Sequence, residues 1–353
     1  MFLALKEIKH EKLRYGLVIS MVVLISYLIF ILTSLAQGLG SQNTAAIDTW
    51  NIKQVVLNKD SDINMRQSFL TTQQVDQLHQ GKNDAVIGQA AVVAKHSTLP
   101  QISATFIGIK PTQFIYKDMK VIKGHKPLTD RQLVVDSSFE TKGYKLGQWV
   151  KLNSLNQKYQ IVGFVKNAKI NISPIAYGRL SAWKTISNLN PNLAANALVT
   201  RSKHYKITDN NLKAYSVSSF IDNLPGYTAQ NMTFEFMIGF LMVISLIVIA
   251  IFLYIITNQK LPNYAVLRAQ GVPAKTLVIS TIMQSLILVV SGILIGALLT
   301  WITSLVIPAA VPMTFNVPVL SAVAAGLVLT SIIGAILPVR TIMKIDPVKR
   351  KEL

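Results

Sequence analysis

Side chains that could bind a metal or a flat apolar ligand are concentrated in one stretch, residues 227–240. Tyr227, Met232 and Glu235 each carry an atom that can coordinate iron. The same stretch contains three large apolar side chains, at Phe234, Phe236 and Met237. Such a mixture can line a ligand site, or it can form the aromatic belt of a membrane interface with the methionines as packing. Both interpretations are open at this point.

Other chemistry has little support in the sequence. The chain has no cysteine, which excludes thiol catalysis, disulfides and cysteine-ligated metal. No two of its five histidines lie within four residues of each other, so no local helical metal pair exists. Phosphate loops, nucleophile elbows and dinucleotide fingerprints are absent. We therefore predict a protein that is not an enzyme and has no metal or cofactor of its own.

Four apolar stretches are long enough to cross a bilayer, which takes about 20 residues. They are Gly16–Ala36, Phe236–Thr257, Val278–Val306 and Val319–Val339. A long polar segment separates the first from the second. This order predicts four transmembrane α-helices with one large extracytoplasmic α+β domain between helices 1 and 2. The first stretch is too long for a typical cleaved signal peptide, so we expect it to be retained as an anchor.

Basic residues flank only one end of each apolar stretch. They are Lys6, Lys9, Lys12, Arg14, Lys260, Arg268, Lys275, Arg340, Lys344, Lys349, Arg350 and Lys351. The short link 307–318 has none. The positive-inside rule therefore places both termini in the cytoplasm and the large domain outside the cell. The net charge of +19 is explained by these flanks and by scattered lysines, and it does not predict nucleic-acid binding.

These patterns divide the chain into nine segments. They are an amphipathic cytoplasmic helix at 1–15, a first span at 16–39, the extracytoplasmic domain at 40–231, a second span at 232–257, a cytoplasmic coupling segment at 258–277, a third span at 278–306, an external loop at 307–318, a fourth span at 319–341 and a cytoplasmic tail at 342–353.

The extracytoplasmic segment contains short runs rich in β-branched and aromatic residues. The predicted strands are Asp84–Val93, Thr105–Ile109, Gln132–Asp136, Trp149–Asn153 and Tyr159–Val165. The run from Tyr215 to Ile221 reads either as a last strand or as the start of a helix. We expect an α+β domain with two subdomains.

Small residues recur at four-residue spacing in the last two spans. The predicted helix-packing residues are Gly292, Gly296, Gly326 and Gly334. Small residues on one helix face let two backbones approach closely in lipid. The contact could form within one bundle or across a dimer.

The segment between the second and third spans has definite helix signals. Pro262 stands where a first helical turn tolerates proline, and Gly271 stands where a helix ends. We predict a separate cytoplasmic helix of about nine residues between them, through which a partner could move both spans.

The segment Tyr264-Ala265-Val266-Leu267-Arg268-Ala269-Gln270-Gly271 resembles the coupling segment of FtsX/MacB-type permeases of ABC transporters. The tail from Leu337 to Val348, with Asp346-Pro347, resembles the carboxy-terminal signature of that family. The order of one span, a large outer domain and then three spans is similar to that of the same family. The strands around Gly143–Val150 also resemble strands of that family. Within the family, the first 15 residues are most similar to those of the DevC/HrtB branch, which contains haem-exporter permeases. Tyr264 replaces the acidic residue that the family usually has.

This resemblance implies an assembly. It implies two copies of this chain as a homodimer in the cell membrane of a Gram-positive bacterium, and two copies of a separate ABC ATP-binding subunit that holds ATP and Mg. Five residues would then contact or support the ATPase: Pro262, Tyr264, Leu267, Arg268 and Gly271. Membrane lipid is the other expected partner.

The resemblance also gives the leading functional hypothesis, which is export of a toxic amphipathic compound, with haem as the first candidate. Residues 227–240 would then bind the substrate. Export of a lipid, lipopeptide or antimicrobial peptide is an alternative. A different class of function is an FtsX-like transmembrane signal transducer that regulates a cell-wall hydrolase.

Overall fold

A computed structural model describes residues 12–308 and 311–343. The predicted helix at 1–15 lies largely outside these residues, as does most of the predicted tail, including Asp346 and Pro347. The chain divides into two compact units. The outer unit is Leu39–Gln230, and the helical unit comprises the residues up to Gly38 and those from Asn231 onward.

The described residues contain four helices that are long and apolar enough to cross a membrane. They are α1 (Lys12–Trp50), α7 (Tyr227–Ala269), α8 (Ala274–Val306) and the pair α9 (Val317–Gly334) and α10 (Ile336–Met343). A sheet-rich domain lies in sequence between the first and the second. The predicted fold class is therefore confirmed.

The outer unit contains thirteen strands among the described residues. They are β1 (Gln54–Asn58), β2 (Leu70–Thr71), β3 (Asp84–Lys95), β4 (Ile102–Ile109), β5 (Val121–Gly124), β6 (Gln132–Asp136), β7 (Trp149–Leu152), β8 (Lys158–Val165), β9 (Lys169–Ile170), β10 (Ser173–Arg179), β11 (Leu193–Ala195), β12 (Ala197–Thr200) and β13 (Leu212–Ser216). All five predicted strands are present. The run from Tyr215 to Ile221 contains both a strand end and a helix start.

Five short helices and one 3-10 turn complete this unit. They are the turn Lys59–Ser61 and helices α2 (Thr72–Gln77), α3 (Phe114–Asp118), α4 (Ser138–Thr141), α5 (Leu180–Ser187) and α6 (Val217–Asp222).

Eleven strands form one mixed sheet in the order β13-β1-β12-β3-β4-β10-β6-β8-β5, with β7 and β9 paired at its side. β10 is parallel to β4, and β6 is parallel to β8. β2 and β11 pair in a separate two-stranded sheet, and the division of the outer unit into two subdomains stays a prediction.

Both faces of the sheet are covered. Alternate strand residues enter two different cores: Val56 belongs to one, while Val55 and Leu57 belong to the other. The first core contains Trp183 of α5. The second contains Trp50 from the end of α1. Strands buried on both faces are expected to be continuously apolar, as the central residues of β1, β6 and β12 are.

Two glycines of α8 make a close contact with α1 inside the helical unit. A Cβ atom placed on Gly292 would lie 2.5 Å from Cγ1 of Val22, and one on Gly296 would clash with Oγ of Ser26. The hydroxyl of Tyr27 is 2.9 Å from that of Thr303 nearby. Only glycine lets the two backbones approach this closely.

Two glycines of α9 face α7 in the same unit. A Cβ atom placed on Gly326 would lie 3.3 Å from the methyl group of Met242. One placed on Gly334 would lie 3.4 Å from backbone atoms of Leu246 and Ala250. All four predicted glycines thus lie at contacts between helices of one chain.

We expect Gly296→Leu to separate α1 from α8. Overpacking of a tight contact typically costs about 1–3 kcal/mol. Thermal unfolding of the purified full-length chain should therefore begin at a lower temperature. Gly16→Leu is the matched control on α1, because nothing lies within 4 Å of a Cβ at that position. Equal unfolding temperatures for the two variants would refute the close contact.

Candidate functional site

The first part of α7 within the helical unit carries an open groove of about 570 Å³. It is lined by Met232, Glu235, Phe236, Gly239, Phe240 and Val243. These positions recur every three or four residues, which places them on one face of the helix. Phe236 is 69% exposed and Phe240 is 66% exposed, so the aromatic rings are available for contact.

Glu235 provides the only charge in this groove. Its carboxylate is exposed and lies between apolar neighbours on the same helical face. Met232 precedes it by one helical turn, so a carboxylate oxygen and a thioether sulfur are offered on the same side. An exposed apolar surface with one charge is suited to bind an amphipathic partner.

Three of the predicted site residues do not line the groove. Tyr227 belongs to the outer unit, where it packs against the second core. Phe234 is half-buried, and Met237 is exposed on another side of the helix. The structure thus brings together Met232, Glu235 and Phe236. Helical spacing of four residues identifies the other lining residues, which were not among the predicted ones: Gly239 and Val243 follow from Glu235, and Phe240 follows from Phe236.

No group of three or more potential metal-ligating side chains occurs among residues 12–308 and 311–343.

The coupling segment differs from its prediction at one end. We expected a separate helix beginning at Pro262, and this is wrong, because α7 continues through Pro262 to Ala269. Packing supports the helix beyond the proline. Tyr264 is 3% exposed and forms a small core with Leu277 of α8 and Ile342 of α10. The tyrosine that replaces the usual acidic residue thus has a structural role.

The other end of the segment agrees with its prediction. Gly271 has φ +91°, a left-handed conformation that favours glycine. The amide of Gly271 donates to the carbonyl of Arg268 at 3.1 Å, and that of Val272 donates to Leu267 at 3.0 Å. Leu267 and Val272 also share the same small core. This is a Schellman motif with its apolar contact.

The side chain of Arg268 closes the same turn. Its Nη1 donates to the carbonyl of Val272 at 3.4 Å. Leu267 is half-buried, while Pro262 and Val266 are exposed. The exposed residues of this stretch are Pro262, Asn263, Val266, Ala269 and Gln270, and Pro262 and Val266 lie one helical turn apart among them. Val266 was not among the predicted coupling residues, although its 46% exposure is large for an apolar side chain.

A buried lysine lies near the start of the coupling segment. Lys260 is 6% exposed, its Nζ donates to the hydroxyl of Tyr15 at 2.7 Å, and it lies 5.4 Å from the centre of that ring. Tyr15 is fully buried on α1. This contact joins the carboxy-terminal part of α7 to the start of α1. In the sequence, Lys260 is recognisable only as part of a basic flank.

Residues 235–347 match the FtsX-like permease C-terminal family model. Over 352 residues the chain is 26% identical to a protein of Staphylococcus epidermidis whose name, given provisionally, is hemin transport system permease protein HrtB. That alignment covers 99% of this chain and 98% of the relative. A protein of the same name from Staphylococcus haemolyticus is 22% identical, with the same coverage.

Among solved structures, the periplasmic region of MacB from Actinobacillus actinomycetemcomitans aligns with 14% identity and a TM-score of 0.36, covering 49% of this chain and 95% of that one. The matched residues include the coupling segment and all groove residues except Met232. Residues 235–347 thus form an FtsX-like permease domain, and nearly the whole chain is similar to proteins named as permeases.

Proposed function

We propose that this chain is the permease subunit of an ABC exporter that expels haem, or a closely similar amphipathic compound, from the outer leaflet of the membrane. It works as a homodimer with two copies of a separate ATPase, which bind ATP and Mg. Both of its termini lie in the cytoplasm and its large domain lies outside the cell. The groove on α7, with one carboxylate among exposed aromatic rings, is the observation that carries this proposal.

The chemistry of the groove suits haem as a substrate. Haem has a flat apolar body, and its iron accepts an axial ligand. Phe236 and Phe240 offer aromatic surface, while Glu235 and Met232 each offer a ligand atom. An ionised carboxylate near hydrocarbon is costly unless it faces water, a partner or a ligand. The full-length relatives whose name refers to hemin transport support the same choice.

The coupling segment supports a complex in which a separate subunit hydrolyses ATP and this chain releases the ligand. The chain has no phosphate loop, so ATP must be hydrolysed elsewhere. Closure of the ATPase subunits would press on the exposed residues Pro262 and Val266. Since α7 is unbroken from the groove to Ala269, movement at one end displaces the other. The ligand is then released to the outside.

We expect Glu235→Ala to weaken haem binding by at least about tenfold, equivalent to about 1.4 kcal/mol. The carboxylate supplies the single charge of the groove, and no other lining residue replaces it. Haem titration of the purified complex, followed by the Soret absorption band, measures the affinity. Cells that carry the variant should lose haem tolerance although the complex assembles and its basal ATPase activity persists.

A pair of methionine variants controls this experiment. Met232→Leu removes a sulfur that faces the groove, whereas Met237→Leu removes one that does not. Only the first should alter the Soret spectrum. If Glu235→Ala protects cells as well as the parent and gives an unchanged spectrum, the groove is not the haem site. Protection against peptide antibiotics instead of haem would favour the peptide-export alternative.

We expect Gly271→Pro and Arg268→Glu to uncouple ATP hydrolysis from transport. Proline cannot adopt the φ of +91° at Gly271 and has no amide to donate to Arg268. Arg268→Glu removes the donor to Val272. Transport by the reconstituted complex should fall by more than about tenfold, since each change opens the end of the helix that meets the partner.

Gly271→Asn is the matched control, because asparagine tolerates the left-handed conformation and keeps the amide. It should retain most transport. Normal transport by both Gly271→Pro and Arg268→Glu, at normal membrane levels, would refute the coupling role.

A further inference from the structure

The outer unit contains a cavity that has no role in the export function proposed above. It shares no lining residue with the groove on α7. Its volume is about 490 Å³, within the range of about 300–1,000 Å³ that is typical of small-molecule sites. Four buried residues form its floor: Trp50, Ile115, Ala168 and Tyr177. The cavity lies entirely within residues 39–230.

The floor of the cavity is apolar and uncharged. The indole Nε1 of Trp50 donates to the hydroxyl of Tyr177 at 3.0 Å, so the polar atoms of the two rings satisfy each other. Burial raises the pKa of Tyr177 well above its usual value, which keeps the phenol neutral. What remains for a ligand is aromatic and aliphatic surface.

The rim of the cavity carries three cations and one carboxylate. Arg201 pairs with Asp118 at 2.7 Å, donates to the carbonyl of Trp50 at 3.0 Å and lies 4.2 Å from the ring centre of Phe114. Arg201 is therefore fixed, and its charge is balanced by Asp118.

Lys120 and Lys166 add two more cations at the same rim. Within the described part of the chain, neither ammonium group has an ion-pair or hydrogen-bond partner. Both are exposed, so their charges face the opening. The rim thus has an uncompensated positive charge above an apolar floor.

We propose that this cavity binds a soluble anionic amphiphile, with its apolar body on the Trp50–Tyr177 floor and its anionic head between Lys120 and Lys166. The head is a carboxylate, sulfonate or phosphate, since these groups share the geometry and charge that two ammonium groups recognise. The site is independent of the groove on α7, and it does not rest on the export function proposed above.

The test uses the full-length chain in nanodiscs of zwitterionic lipid, with naphthoate as the probe and naphthamide as its neutral counterpart. Saturation-transfer NMR measures both affinities. We expect naphthoate to bind more tightly than naphthamide. The double variant Lys120→Glu with Lys166→Glu should weaken naphthoate about tenfold and leave naphthamide unchanged, because only the charge contacts are lost.

The double variant Lys151→Glu with Lys158→Glu is the control. These exposed lysines lie on β7 and β8, away from the cavity, and the net charge changes by the same amount. Its affinity for naphthoate should equal that of the parent. Ile122→Ser, in the cavity wall, should weaken both probes. An equal loss in both double variants, or no saturable naphthoate binding by the parent, would overturn the proposal.

Discussion

The helical unit depends on one constraint, which is that α7 stays helical through Pro262. Proline has no amide to donate to the carbonyl of Asn258 four residues earlier, and its ring crowds that carbonyl. A proline in a helix interior costs about 3 kcal/mol, so neighbouring contacts must offset it. Tyr264 does so by entering the core with Leu277 and Ile342, and Lys260 does so through its bond to Tyr15.

This continuity connects two places that would otherwise be independent. Glu235 in the groove and Val266 in the coupling segment are separated by about 46 Å along the helix, at 1.5 Å per residue. The hydrocarbon core of a bilayer is only about 30 Å thick. One helix can therefore present a ligand site near one membrane surface and a docking face at the other.

Local signals in the sequence predicted much of this fold. Uninterrupted apolar length identified the spans, and β-branched runs identified five strands. The positive φ of Gly271 and the close contacts of Gly292 and Gly296 follow from residue types that are suited to those conformations. What failed were inferences that needed long-range contacts. The rule that proline starts a helix was overridden by the packing of Tyr264.

Other features could be found only in three dimensions. Strand β10 contains a proline and a glycine and is not among the predicted strands. Gly178 is needed there because the ring of Phe106 occupies the space of a side chain. The cavity in the outer unit needs Trp50, Tyr177 and Arg201, which are far apart in sequence. In the groove, the sequence identified Glu235, Met232 and Phe236, and the structure shows that Gly239, Phe240 and Val243 share their face while Phe234 and Met237 do not.

Transmission along α7 is the central claim, and a distance measurement tests it most directly. The chain has no cysteine, so Met237→Cys gives a single spin label near the groove but off its lining. Pulsed electron resonance on the proposed homodimer with its proposed ATPase partner measures the distance between the two labels, without nucleotide and with ATP trapped. Transmission along α7 predicts a different distance distribution in the two states. Identical distributions in a complex that transports its ligand would contradict it.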